Sequence, residues 1–143
     1  MKLLATAVLA IGLATSAMAE GMVHKVAVHV DQNDPQVLNM ALNNVANLKA
    51  YYEGIGDSVE VEVVAYGPGL HMFIEGKSPV ADRIVDMAMA SDDVKFSACG
   101  NTIAGMTKKT GQAPVLLEEA SVVPSGVARL VELQEQGYSY VRP

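Results

Sequence analysis

Apolar residues along this chain switch repeatedly between two spacings. The run VHKVAVHV (residues 23–30) is short and β-branched, and the turn cluster Asp31-Gln32-Asn33-Asp34-Pro35 closes it, which reads as a buried strand. Leu38, Ala41, Leu42, Val45, Leu48 and Tyr52 then recur at three- and four-residue intervals, predicting a helix with one apolar stripe. Asp34 is placed to cap that helix, Pro35 to fill its first position, and Gly54 and Gly56 to stop it. VEVEVVAY (residues 59–66) opens with strict alternation, valines to one side and Glu60 and Glu62 to the other, as expected for a strand with one wet face at a sheet edge. It runs into Gly67-Pro68-Gly69, a turn whose glycines permit unusual dihedrals or close approach to a ligand.

The pattern continues with a helix over residues 79–90, turning Val80, Ile84, Met87 and Ala88 inward, and a strand over 94–98. A short helix over 102–110, with Asn101 or Thr102 as cap, closes on Lys108, Lys109 and Gly111. A strand over 120–123, a helix over 126–136 and a last strand over 138–141 complete the chain. Strands alternate with helices through connections too long for hairpins. The expected fold class is therefore α/β: a single domain with a mostly parallel five-stranded sheet and helices on both faces. Ligands gather at the carboxyl ends of strands in such sheets, which here join the loops at 31–34, 67–71 and 99–102 with the turn around Pro124.

The amino end changes the setting of that domain. Lys2, an apolar run to about Leu13 and the small-x-small triplet Ala17-Met18-Ala19 form a signal-peptide pattern, with cleavage expected before Glu20. Residues 1–19 are then a leader and residues 20–143 the mature domain, exported to a periplasm with no membrane anchor after cleavage. The formal charge of −6 becomes one unit more negative when Lys2 leaves, which argues against nucleic acid or an anionic membrane as partner.

A single cysteine, Cys99, excludes an internal disulfide. It stands at the end of a strand just before a helix, where free amides and the positive end of the helix dipole stabilise a thiolate. Two readings stand: a reactive thiol, with Gly100 leaving room for an attacking group, and an inert buried one. His71, past the glycine turn, is the histidine placed to serve Cys99 as acid or base, or it is an exposed loop histidine. His29 reads as packed against a helix and His24 as solvent-facing. The eight methionines are scattered and Asp31, Asn33 and Asp34 lack the further oxygens of a calcium loop, so no metal site is expected. Gly67-Pro68-Gly69 lacks the third glycine and following helix of a dinucleotide fingerprint, so no cofactor is expected.

With these pieces in order, KVAVHVD, LNNVANL, VEVVAYGPGL and VKFSACGNTI, the chain resembles the small exported members of the DsrE/DsrF-like sulfur-relay family. The resemblance implies a flavodoxin-like or Rossmann-like sheet, a homo-oligomer (trimer or hexamer), and a cysteine that carries sulfur as a persulfide between proteins or small thiols. Cys99 matches the sulfur-bearing position, and Gly67 and Gly69 match the glycine turn beside it. The site expected is thus Cys99 as the reacting group, with Gly67, Gly69, His71, Gly100, Asn101 and Thr102 around it. The alternative is a non-enzymatic, oligomeric small-ligand-binding module whose pocket Cys99 merely lines.

Overall fold

The computed structural model describes residues 21–143 of the chain, so the expected leader and its cleavage point lie outside the described residues. Strand β1 (Val23–Val30) leads into helix α1 (Pro35–Gly54), whose cap is Asp34: its carboxylate accepts the Gln36 amide at 2.8 Å. Leu38, Ala41, Leu42 and Val45 form the buried stripe of α1, and the chain turns away through Gly56 at φ 86°. Strand β2 (Ser58–Ala65) follows, then a 3-10 helix over Gly67–Phe73 and helix α2 (Ala81–Ala90). Strand β3 (Val94–Cys99) passes straight into helix α3 (Gly100–Thr110), which ends at Gly111 in the left-handed region behind Lys108 and Lys109. Strand β4 (Ala120–Val123), helix α4 (Gly126–Glu135) and strand β5 (Ser139–Val141) complete the domain.

The five strands are all parallel, in the order β4-β3-β2-β1-β5. The first three crossovers each step one strand in the same direction, and right-handed connections stepping one way must lie on one face. Accordingly α1, α2 and α3 pack against Val26, Val28 and Val30 of β1, Val59, Val61 and Val63 of β2 and Phe96 of β3 in the main core. The fourth crossover returns across the whole sheet, so the same handedness puts α4 on the opposite face, where Leu130 and Leu133 cover Ala27 and Val64.

This asymmetry corrects the expectation for residues 59–66: β2 is the central strand. Its valine–glutamate alternation records a face on which α4 alone lies, and a central strand beneath a single helix shows the same pattern as a strand at an edge. Lys95, Ser97, Ser121, Val123, the α4 cap Ser125 and Arg129 of α4 line an open groove of about 730 Å³ beside that helix. Glu62 lies under α4 at 3 % exposure, where Arg129 Nε and Nη2 donate to its two oxygens at 2.8 Å each and Ser97 Oγ donates at 2.6 Å. Burial opposes ionisation of Glu62, but the bonds from Arg129 and Ser97 outweigh it and hold the carboxyl below its ordinary 4.5.

Candidate functional site

Because β3 feeds α3 on one face and its neighbour β4 feeds α4 on the other, the carboxyl ends of β3 and β4 flank the point where the sheet's connections diverge. Ligands bind at such points in open parallel sheets, and α3 and α4 both start here. Cys99 stands there, paired in register with Val123, and it serves as the cap residue of α3. The helix thus begins at Gly100, two residues before its expected start, and no side-chain oxygen of Asn101 or Thr102 caps it.

The Cys99 side chain makes no capping hydrogen bond either. The Thr102 hydroxyl and the backbone amides of Gly126, Thr102 and Asn101 lie around it and favour its ionised form. Thr102 Oγ1 itself accepts the Gly67 amide at 2.9 Å, which leaves its proton free for the sulfur. Burial works against a Cys99 thiolate, but these four donors outweigh it and leave the pKa below the usual 9.0. The residue is buried, at 4 % exposure.

The expected site residues separate into those that meet at the sulfur and those that do not. Thr102 and the Asn101 amide lie where they favour its thiolate. Gly67 holds Thr102 and takes φ 54°, where a side chain would be strained. Gly69 serves the fold: a Cβ there would lie 2.2 Å from the Val30 carbonyl oxygen, so its bareness accommodates β1 and no ligand. The space beside Gly100 is likewise filled, by the carbonyls of Val123 and Pro124 at 3.0 and 3.2 Å from a Cβ position, which corrects the expectation of room for an attacking group. His71 bonds through Nδ1 to the Pro68 carbonyl of its own turn at 3.2 Å, and no contact with Cys99 accompanies it. His24 is half-buried against expectation, stacked 3.8 Å from the Tyr52 ring and held to Asp57 at 3.0 Å.

Three residues at the site escaped the sequence reading. Gly126 presses so closely on Cys99 and Tyr66 that a Cβ there would lie 3.1 Å from each. Tyr66 forms the wall between the cysteine and His29, whose ring lies 4.6 Å from the Tyr66 ring. Tyr140 of β5 is hydrogen-bonded to His29 Nδ1 at 2.6 Å, while His29 Nε2 is buried without a partner among the described residues. The turn at Pro124, flagged as part of the ligand edge, was the available sign of Gly126; nothing local marks the other two.

Burial is the main cause that holds the His29 imidazole below 6.5, so the folded protein keeps it neutral where the unfolded chain takes up a proton. The stability this contributes is present above 6.5 and is lost as pH falls through the lower folded value. Urea titrations at about pH 7.5 and about pH 5.5 should therefore show a larger acid-side loss for the wild type than for His29→Gln, which has nothing to titrate. Equal losses would contradict this account of His29.

The sequence profile of the DsrE/DsrF-like family matches residues 5–143. Among solved structures, the chain is similar to a protein of unknown function, MTH1491 from Methanobacterium thermoautotrophicum, at 32% sequence identity and a TM-score of 0.72. That match covers 84% of this chain and 99% of the other. No curated protein matches the chain.

Proposed function

We propose, from the premise that this chain belongs to the DsrE/DsrF-like family, that Cys99 is a persulfide carrier that takes up sulfane sulfur and passes it on. The observation that carries the reading is the position of Cys99 at the carboxyl end of β3, where α3 starts and Gly126 at the start of α4 packs against it. In the first step the Cys99 thiolate attacks the outer sulfur of a donor persulfide, R–S–SH. The donor S–S bond breaks, its electron pair leaves with R–S⁻, and Cys99–S–SH forms without net oxidation. In the second step an acceptor thiolate attacks the outer sulfur and releases the Cys99 thiolate, so the donors that favour the nucleophile also favour the leaving group.

The experiment is intact mass of the native protein, before and after a small persulfide donor is added. Gain of one sulfur on the folded protein is the expected result. A gain that appears only after unfolding would instead favour an inert cysteine in a binding module, a reading to which the 4 % exposure lends weight. Against that module stands the groove beside α4, whose lining does not include Cys99. Thr102→Val removes one donor from the sulfur and strands the Gly67 amide, so its alkylation by iodoacetamide at neutral pH should fall by roughly fivefold through a higher thiol pKa. An unchanged rate would show that the hydroxyl does not serve the thiolate.

The proposal includes export and assembly as a homo-oligomer, trimer or hexamer. Support for assembly comes from the α4 face, since parallel sheets are generally covered on both sides and here one helix covers five strands. Sedimentation of the mature protein tests it.

A further inference from the structure

We infer that Glu62 and Arg129 are a positioning pair, which sets the rotation and height of α4 so that Gly126, at its start, packs against Cys99. This inference rests on the sulfur-carrier reading only for its consequence; its geometry is independent. Arg129 lies three residues past Gly126, one turn into α4, and its guanidinium forks onto both oxygens of a carboxylate fixed in the central strand. A bidentate fork fixes orientation as well as distance, which a single-point contact does not.

The rest of α4 is loosely held. Its buried apolar side chains are Leu130 and Leu133, while Val127 and Val131 are 59% and 51% exposed. A cation in the first turn also opposes the helix dipole, and the pair Arg129 makes within α4, with the exposed Glu132 at 3.4 Å, is longer and more solvated than its 2.8 Å fork onto Glu62. Tolerance at the other end of the linkage is small, because Gly126 already touches Cys99 and Tyr66 with no side chain to yield. A modest rotation of α4 would lift Gly126 away from Cys99 or drive its backbone into the tyrosine.

Two readouts on the full chain test the pair: the thiol pKa of Cys99 from the pH dependence of iodoacetamide alkylation, and hydrogen exchange at the Gly126 amide. Tyr66 and Cys99 are the titratable groups at the contact, and Tyr66 stays neutral in the range scanned because burial, with Asp31 next, raises its phenol. Glu62→Gln should slow alkylation at neutral pH by about fivefold and speed exchange at Gly126. Arg129→Lys, which keeps the charge and loses the fork, should fall between wild type and Glu62→Gln in both. Leu133→Ala, which removes packing from the far half of α4, should lower the melting temperature yet leave both readouts near wild type.

The inference is overturned if Glu62→Gln lowers stability alone, or if Leu133→Ala moves the two readouts as far. Failure of the sulfur-carrier reading looks different: the wild-type thiol would then titrate at an ordinary value or take up no sulfur, while Gly126 exchange would still follow the pair. Should Glu62→Gln not fold, Arg129→Lys against Leu133→Ala decides the matter on the same two readouts.

Discussion

Cys99→Ser should abolish sulfur uptake altogether, leaving a protein whose intact mass is unchanged by a persulfide donor and by a thiol alkylator. The loss is complete because this is the chain's one cysteine, so no second thiol can carry the adduct. The substitution should also preserve the fold. A serine is of nearly the same size and is among the residues favoured at the cap position Cys99 holds. Circular dichroism and melting temperature close to wild type, together with zero uptake, form the expected pair of results. Residual uptake in the serine variant would mean that the donor modifies some group other than the cysteine, and the sulfur-carrier reading would go with it.

Arg129→Ala should be the most destabilising change on the α4 face. It leaves Glu62 at 4 % side-chain exposure with a carboxylate that only Ser97 still serves. Removing one partner of a buried pair costs about 3 kcal/mol at the low end of its range. The low end applies because the Arg129 side chain is itself 26% exposed, so water can partly replace it. For a domain of this size the melting temperature should fall by roughly 10 °C.

The pH dependence identifies the cause. In the wild type the folded Glu62 pKa lies below 4.5, so its contribution is present above 4.5 and is lost as pH falls through the folded value. Without Arg129, burial dominates and pushes that pKa up, so the folded variant takes up a proton before the unfolded chain does. Its deficit should be greatest near neutral pH and shrink as pH falls towards 4.5. A deficit that is flat with pH would assign the loss to packing of the arginine stem instead.

Much of this architecture was legible from local pattern. The β-branched run of β1, the Asp34–Pro35 start and apolar stripe of α1, and the Lys108–Lys109–Gly111 end of α3 all stand where their residues place them. Each depends on neighbours within a turn or two, which is the range over which hydrophobic period and capping act. The alternation of strands and long crossovers fixed a parallel sheet for the same reason, and it placed Cys99 at the ligand edge. Where the local reading failed, the cause was an ambiguity in what it measures. Valine–glutamate alternation in β2 reports an incompletely covered face, and a central strand under one helix satisfies that as well as an edge does.

By itself, then, the order of residues determined the five strands and four α-helices, though not the 3-10 helix Gly67–Phe73, along with the parallel pairing and the position of one thiol between a strand and a helix, since these follow from backbone geometry and near neighbours. Only the tertiary structure decided that the strands run β4-β3-β2-β1-β5, and that reversal at β4 is what brings a second helix start to the sulfur. It also buried Glu62 against Arg129, 67 residues away, and set Gly126 against Cys99 and Tyr66. Such meetings depend on the direction each crossover takes and on which face of the sheet is left to be covered, properties that belong to the assembled sheet and to no single stretch of chain.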